Sequence, residues 1–274
     1  AVVKNDREGQ VERTGQASGT LHDHREFQVY SMQRHYQYVP DDAWLLAFGA
    51  DYRYASAEYE SASHVQFAPA FAALGGTTGP RDTVVDLTLQ GHQFAAFANL
   101  KRRITRRITT EFGLRLDGQE DAYRRDLQFS PRFSLRFEPL RGTAIRYGWG
   151  RYSQATGLHE LHVFDGEQAF RPAQNTLQQV VGIQQRFGDH ISMRLEAYRK
   201  KGQDGSAYDE NLSNPRTLLP ELQADSVHVV TDGFVARGLE LSVAGEHGDL
   251  EWWANYTRAS TRDEIGGEYI HRSW

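Results

Sequence analysis

The stretch FSPRFSLRFEPLRGTAIRYGWGRYSQ, residues 129–154, decides the fold. In its first half, apolar side chains occupy alternate positions at Phe133, Leu135 and Phe137, with serine and arginine between them. Residues 139–142, PLRG, have the composition of a tight turn. The second half alternates again, so the sequence predicts a β-hairpin with one apolar and one polar face.

This period of two recurs along most of the chain. It predicts about ten strands of roughly ten residues each, the length that a tilted strand needs to cross a bilayer. The other clear alternating segments are residues 46–54, 85–90, 111–116, 177–187, 191–197, 235–243 and 250–256.

The segments between the strands alternate in length. Short connections are predicted at 39–42, 101–106, 139–142, 188–190 and 245–248, and long ones at 61–83, 118–126, 153–176, 202–232 and from 261 onward. A membrane barrel shows this order because its periplasmic turns are brief and its extracellular loops are long. Aromatic residues near both ends of the predicted strands, such as Tyr36, Trp44 and Tyr256, are typical of the two interfacial girdles of such a barrel.

The composition fits the same class. Mean hydropathy is -0.64 and no run of 18 apolar residues occurs, so no transmembrane helix is predicted. A membrane barrel keeps a low hydropathy because alternate residues face a polar interior. The absence of cysteine excludes disulfides and thiolate metal sites, and the net charge of -5 gives no case for nucleic acid.

The chain resembles TonB-dependent receptors of the outer membrane. The hairpin at 129–154 is similar to a mid-barrel hairpin of that family. Residues 238–241, GLEL, followed by 252–257, WWANYT, resemble a later pair of its strands, and 195–200, LEAYRK, resembles another strand. The resemblance implies an all-β fold, an antiparallel transmembrane barrel of about 22 strands, in the outer membrane of a Gram-negative bacterium.

The resemblance also implies a domain organisation and partners. Residues 1–274 are expected to be part of the barrel domain, truncated at both ends, and the N-terminal plug domain of the family is not expected in this chain. The implied function is TonB-dependent active uptake of a scarce ligand such as a ferric siderophore. TonB would act through the plug, outer-membrane lipid would surround the barrel, and no cofactor is implied.

Polar and aromatic residues of the strands are the candidate ligand-binding groups. An inward arginine and glutamate set would either line a path for an anionic ligand or contact the plug and lumen water. The candidates are Arg132, Arg146, Trp149, Tyr152, Arg194 and Tyr198. No catalytic motif is present, so no enzyme is predicted, and the histidines at 22–24 and 159–162 lack the further ligands of a metal site.

Two other functions stay open at this point. A passive porin-like channel would show the same alternation of strands. A soluble β-sandwich that binds carbohydrate on aromatic platforms would require the apolar faces to pack against each other. The sequence does not identify the ligand.

Overall fold

The computed structural model describes residues 2–12, 18–66, 81–121, 125–161, 163, 168–188, 190–203, 207–211 and 226–271. These residues form strands and a short 3-10 helix at Leu158–Glu160. The strands are β1 (Val2–Glu12), β2 (Ser18–Asp41), β3 (Trp44–Gln66), β4 (Arg81–Arg103), β5 (Ile108–Asp121), β6 (Arg125–Phe137), β7 (Thr143–Gln154), β8 (Gln174–Phe187), β9 (Ile191–Gln203), β10 (Ala207–Asn211), β11 (Ser226–Val230), β12 (Gly233–His247), β13 (Leu250–Ile265) and β14 (Glu268–His271).

Twelve of these strands make one antiparallel sheet in which each strand pairs with the next, from β1 through β9 and on through β12 to β14. The strands β10 and β11 form a separate hairpin inside the β9–β12 connection. This single sheet confirms the predicted antiparallel architecture. It excludes the sandwich among the described strands, because the alternating segments lie side by side instead of packing face to face. No described helix is long and apolar enough to cross a membrane.

The sheet has two chemically different faces. We call the face that carries Tyr59, which contacts Leu158 of the β7–β8 connection, the inner face, and the opposite face the outer face. Arg132 of β6 pairs with Gly150 of β7 on the inner face. The next pair, Phe133 and Trp149, lies on the outer face. Because the side-chain period of a strand is two, each strand has one set of residues on each face.

An apolar band covers the outer face. Large hydrophobic side chains on adjacent strands stay exposed there, although water would penalise such a surface. Phe112 is 55% exposed and Val181 is 52% exposed. Other exposed members are Phe48, Leu114, Leu116, Phe129, Ile145, Tyr147, Ile183 and Leu239. A contiguous exposed apolar surface of this extent marks contact with lipid or another apolar phase.

Aromatic side chains border this band on both sides. Tyr30 and Tyr54 approach to 6.3 Å between ring centroids near the middle of β2 and β3, at the edge of the band away from the β2–β3 turn. Tyr36 and Phe48 stack at 5.5 Å nearer the β2–β3 turn. Beside that turn, the Arg102 guanidinium lies 4.3 Å from the Trp44 ring centroid.

Strands β2, β3 and β4 are much longer than predicted, at 24, 23 and 23 residues. Their additional halves lie beyond Tyr54, where the outer face becomes polar at Glu58 and Glu60. The prediction of strands of about ten residues was therefore wrong for these three, because their pairing continues past the apolar band into water.

Two predicted long connections are also shorter than expected. Strand β5 ends at Asp121 and β6 begins at Arg125, so most of the predicted loop 118–126 is strand. Strand β13 continues to Ile265, and a tight turn at Gly266 and Gly267, both with positive φ, starts β14. The connection between β3 and β4 lies outside the described residues. The long connections after β7 and after β9 are confirmed.

The backbone pairing of β6 and β7 ends above Pro131, where a side-chain hydrogen bond of 3.1 Å still joins Ser130 to Ser153. Pairing of these strands runs from Phe137 and Ile145 to Arg132 and Gly150, and no described pair extends it. Proline has no N–H to donate and is found in strands at edges and bulges. The upper half of β6 therefore pairs with β5 only.

Candidate functional site

The described residues of the β7–β8 connection, 155–161, 163 and 168–173, are here called the strap, and they contact the inner face as far as β3. The Tyr59 hydroxyl donates to the Leu158 carbonyl, and the Gln93 side chain donates to the Thr156 carbonyl at 3.0 Å. These contacts fix the outgoing half of the strap on β3 and β4. A strap anchored through buried strand residues is a structured element of the inner wall.

The returning half of the strap is held by β5 and β6. The Phe170 N–H donates to the Asp121 carboxylate at 2.5 Å, and the Ala173 N–H donates to the Asp126 carboxylate at 2.9 Å. The Gln119 amide donates to the Arg171 carbonyl at 2.6 Å. A hydrogen bond from a backbone N–H to an ionised carboxylate is stronger than a hydrogen bond between two neutral groups, so these contacts hold the returning half firmly.

A small apolar core lies between the strap and the wall. It contains strap residues Leu158, Leu161, Val163 and Phe170, together with wall residues Ala57, Tyr59 and Leu89. Val85 and Leu87 pack against it, so the apolar face predicted for residues 85–89 exists but faces inward instead of toward lipid. Burial raises the pKa of the Tyr59 hydroxyl to about 12.

Below the strap, an ionic network joins three strands of the inner face. The Arg115 guanidinium contacts Asp117 at 2.8 Å and Asp51 at 3.4 Å, and His35 contacts Asp51 at 2.9 Å. Asp51 and Asp117 flank the small residue Ala95 on β4, so the arginine reaches across it. This network ties β2, β3 and β5 together at the level of the band.

Arg132 and Tyr152 form the most distinctive pair among the predicted site residues. The Arg132 guanidinium lies 4.5 Å from the Tyr152 ring centroid. A side chain at Gly150 would lie 3.1 Å from both Arg132 and Tyr152, so glycine there leaves room for the stack. The Arg132 Nε atom is buried and has no hydrogen-bond partner among the described residues. A buried guanidinium N–H without an acceptor is costly unless a ligand or water supplies one.

Arg146 and Arg194 lie lower on the same face. Arg146 donates to the Gln184 amide oxygen at 3.0 Å and stands directly opposite Arg136 of β6. Arg194 forms an ion pair with Glu196. The inner wall thus presents guanidinium groups on β6, β7 and β9.

Tyr198 also faces inward, and its ring lies over Gly238. A Cβ atom at Gly238 would come within 2.6 Å of the Tyr198 ring and hydroxyl. The Lys200 ammonium lies 5.3 Å from the same ring. Trp149 does not join this set, because register places it on the outer face opposite Phe133. Period two therefore separates Trp149 from Arg146 and Tyr152, which lie on the inner face.

No described group of histidine and carboxylate side chains is arranged to hold a metal ion. His24 forms an ion pair with Asp6, and His22 contacts Glu8 at 3.1 Å, both on the outer face of the long strands. The carboxylate next to it raises the pKa of His24. The segment at 159–162 lies partly outside the described residues.

The family model described as TonB dependent receptor-like, beta-barrel matches residues 4–273. The chain belongs to the TonB-dependent receptor β-barrel family. Receptors of this family are outer-membrane proteins, so the apolar band faces lipid, the inner face lines the lumen, and the strap lies at the extracellular side. The short turns, including the one after β2, are periplasmic.

Solved receptor structures share this fold. The FrpB iron transporter from Neisseria meningitidis has a TM-score of 0.61 and 11% identity, covering 96% of this chain and 44% of its own. The copper transporter OprC has a TM-score of 0.58 and 15% identity, with 90% and 42% covered. BauA, the ferric preacinetobactin receptor from Acinetobacter baumannii, has a TM-score of 0.54 and 12% identity, with 95% and 41% covered.

The chain therefore spans less than half the length of these TonB-dependent barrels. No curated protein matches the sequence. The strap and the Arg115 network were not predicted from the sequence. The sequence did contain a signal for the strap, namely the large apolar residues Leu158, Leu161 and Phe170 inside a long connection. Large apolar side chains that cluster in a loop indicate that part of the loop is buried.

Proposed function

We propose that this chain is the barrel part of a receptor for TonB-dependent active uptake of a scarce anionic ligand, such as a ferric siderophore. The observation that supports it best is the Arg132–Tyr152 stack, whose buried Nε–H has no acceptor among the described residues. An anionic chelate supplies acceptor atoms and planar groups, which suit a guanidinium held against an aromatic ring.

The other predicted residues extend this surface along the lumen. Arg146, Arg194 and Tyr198 lie on the same face as Arg132, on the strands that follow it in the sheet. A ligand that passes along this wall would meet cationic and aromatic groups in turn. Arginine suits such a path because its planar fork binds carboxylate or catecholate oxygens bidentately.

We further propose that a plug domain elsewhere in the protein fills the lumen and connects the barrel to TonB. Glu196 and Glu240 stand directly opposite each other on β9 and β12. Like charges in that position repel, and Arg194 pairs with only the first of them among the described contacts. A basic side chain of the plug would complete the arrangement.

The test measures uptake of a radiolabelled ferric chelate by cells that carry the full-length receptor, with and without TonB. Arg132→Lys keeps the charge but loses the planar stack, and we expect it to reduce chelate affinity about tenfold, or about 1.4 kcal/mol. The matched control is Arg106→Lys in an exposed periplasmic turn.

The result that opposes the proposal is equal uptake by the Arg132→Lys and Arg106→Lys receptors. Uptake that is independent of TonB, together with a steady open conductance of the purified receptor, would instead identify a passive channel. Because the strap covers part of the inner wall, we expect the resting conductance to be low.

A further inference from the structure

Basic side chains gather on the outer face of β9, β12 and β13, immediately above the apolar band. Below them, Leu195, Leu241 and Tyr256 occupy one row of the sheet. The next three rows toward the extracellular side carry exposed cations, at Arg258, then Arg199 and Arg237, then Lys201 and Arg262. We call these five residues the basic patch.

The cations of the basic patch are poorly neutralised by the protein. Arg199 and Arg237 stand directly opposite each other, an arrangement that is unfavourable without an intervening anion. Among the described residues, none of the five forms an ion pair with a carboxylate. Within the described part of these strands, Glu264 is the acidic residue on the outer face near the patch, and it accepts a hydrogen bond from Tyr269. The patch therefore has unused capacity for an anion.

A cavity lies within the patch. Its volume is about 430 Å³, and it is lined by Arg199, Val235, Arg237, Ser260, Arg262 and Tyr269. This volume is in the range of about 300–1,000 Å³ that small-molecule sites occupy. Guanidinium, hydroxyl and phenol groups converge on it, which is the donor set that binds a phosphate group.

The opposite end of the sheet has the contrary charge at the corresponding position. Above Tyr30 and Tyr54, the outer face of the long strands carries carboxylates such as Glu26, Glu58 and Glu60. Lys4 pairs with Glu26 on this face, and the other carboxylates leave the outer face of these strands with a net negative charge. The opposite net charge of the two ends indicates that the basic end of the barrel wall meets an anionic partner at the membrane surface.

We propose that the basic patch binds the phosphate group of a phosphorylated glycolipid in the outer leaflet. The patch lies on the face that contacts lipid, so the lumen ligand does not reach it. Arg258 shares its row with Leu239 at the upper edge of the apolar band, and the other four cations lie one and two rows above it. This is the level of lipid headgroups, and the band below accommodates the acyl chains. Tyr256 and Tyr269 provide aromatic surface at the same interface.

The experiment uses the full-length receptor in detergent micelles, with bis-phosphorylated lipid A as the probe. The variant is Arg199→Gln with Arg237→Gln, and the matched control is Arg106→Gln with Arg107→Gln in a periplasmic turn. Binding of lipid A to the patch variant should weaken at least about tenfold, while the control keeps the affinity of the unchanged receptor. Circular dichroism and heat-modified electrophoretic mobility verify that both variants fold.

Two further arms identify the source of the phosphate. Lipid A stripped of its phosphates should bind to the unchanged receptor as weakly as lipid A binds to the patch variant. Inorganic phosphate should not displace the lipid at equal concentration. Equal binding by the patch variant, equal binding of the stripped lipid, or displacement by free phosphate would each overturn the proposal.

Discussion

Substitution of Gly91 by alanine should release the strap from the inner wall. A Cβ atom at position 91 would lie 2.2 Å from Cε2 of Phe170 and 2.4 Å from its Cζ. Carbon atoms pack at about 3.5 Å or more, so the ring would have to retreat by about 1.3 Å. Phe170 is only 2% exposed and packs in a closed cluster, so the whole returning half of the strap would move with it.

The magnitude follows from the cost of overpacking a well-filled core, about 1–3 kcal/mol. This energy acts on the equilibrium between the docked and released strap, since the wall itself is held by the strand ladder. At about 1.4 kcal/mol for each factor of ten, the released fraction should rise roughly 5-fold to 150-fold.

A buried thiol on the wall would report this change. The natural chain has no cysteine, and Ala57 lies under the strap with 0% exposure. In an Ala57→Cys receptor in outer-membrane vesicles, the rate of thiol labelling therefore measures how often the strap leaves. The matched control is Gly148→Ala, because a Cβ atom there meets no atom within 4 Å. Equal labelling rates with Gly91→Ala and Gly148→Ala would refute this account of the strap.

Three other predictions concern separate contacts. Arg115→Met should lower the urea midpoint of unfolding by an amount equal to about 1 kcal/mol, because Asp51 and Asp117 lose the partly exposed cation that they share. Adding Asp51→Asn should restore much of the lost stability, and an unchanged midpoint in Arg115→Met would contradict the network. The neutral Tyr59 hydroxyl stabilises the docked strap below about pH 10, and this contribution should disappear as pH rises through about 12. The difference in phenolate absorbance between the unchanged receptor and Tyr59→Phe should titrate near pH 12, and a midpoint near pH 10 would contradict the burial of this hydroxyl. Gly238→Ala should displace the Tyr198 ring and weaken chelate binding, while an unchanged affinity would remove Tyr198 from the site.

The fold was predictable because it depends on period and turn chemistry. The alternation at 129–154 and the short turn within it fix two strands, their register and the face that each residue occupies. Strand ends were less predictable, since polar residues beyond the lipid boundary alternate as well as apolar ones. The long outer halves of β2 to β4 show this, because Glu58 and Glu60 continue the pairing with no change of period.

The face that each candidate residue occupies was predictable for the same reason. Alternation places Arg132, Arg146 and Tyr152 on one face, and the same rule places Trp149 on the other. The strap has no period, so its path across the wall depends on long-range contacts. The bond between Tyr59 and Leu158 joins residues 99 positions apart, and no local pattern specifies such a contact.

Pro131 lies between the strap contacts of β6 and the part of β6 that carries the proposed ligand path. Because the β6–β7 pairing ends there, Asp126 lies on a part of β6 that has no β7 partner and is free to hold the returning strap at Ala173. One residue below Pro131, Arg132 begins the paired wall that carries the proposed ligand path. The strap is therefore anchored on β3 to β6, while the proposed ligand path continues over β7 to β12. Displacement of the strap would open the extracellular lumen without disturbing the wall, so ligand access and ligand affinity should change independently in variants of the two regions.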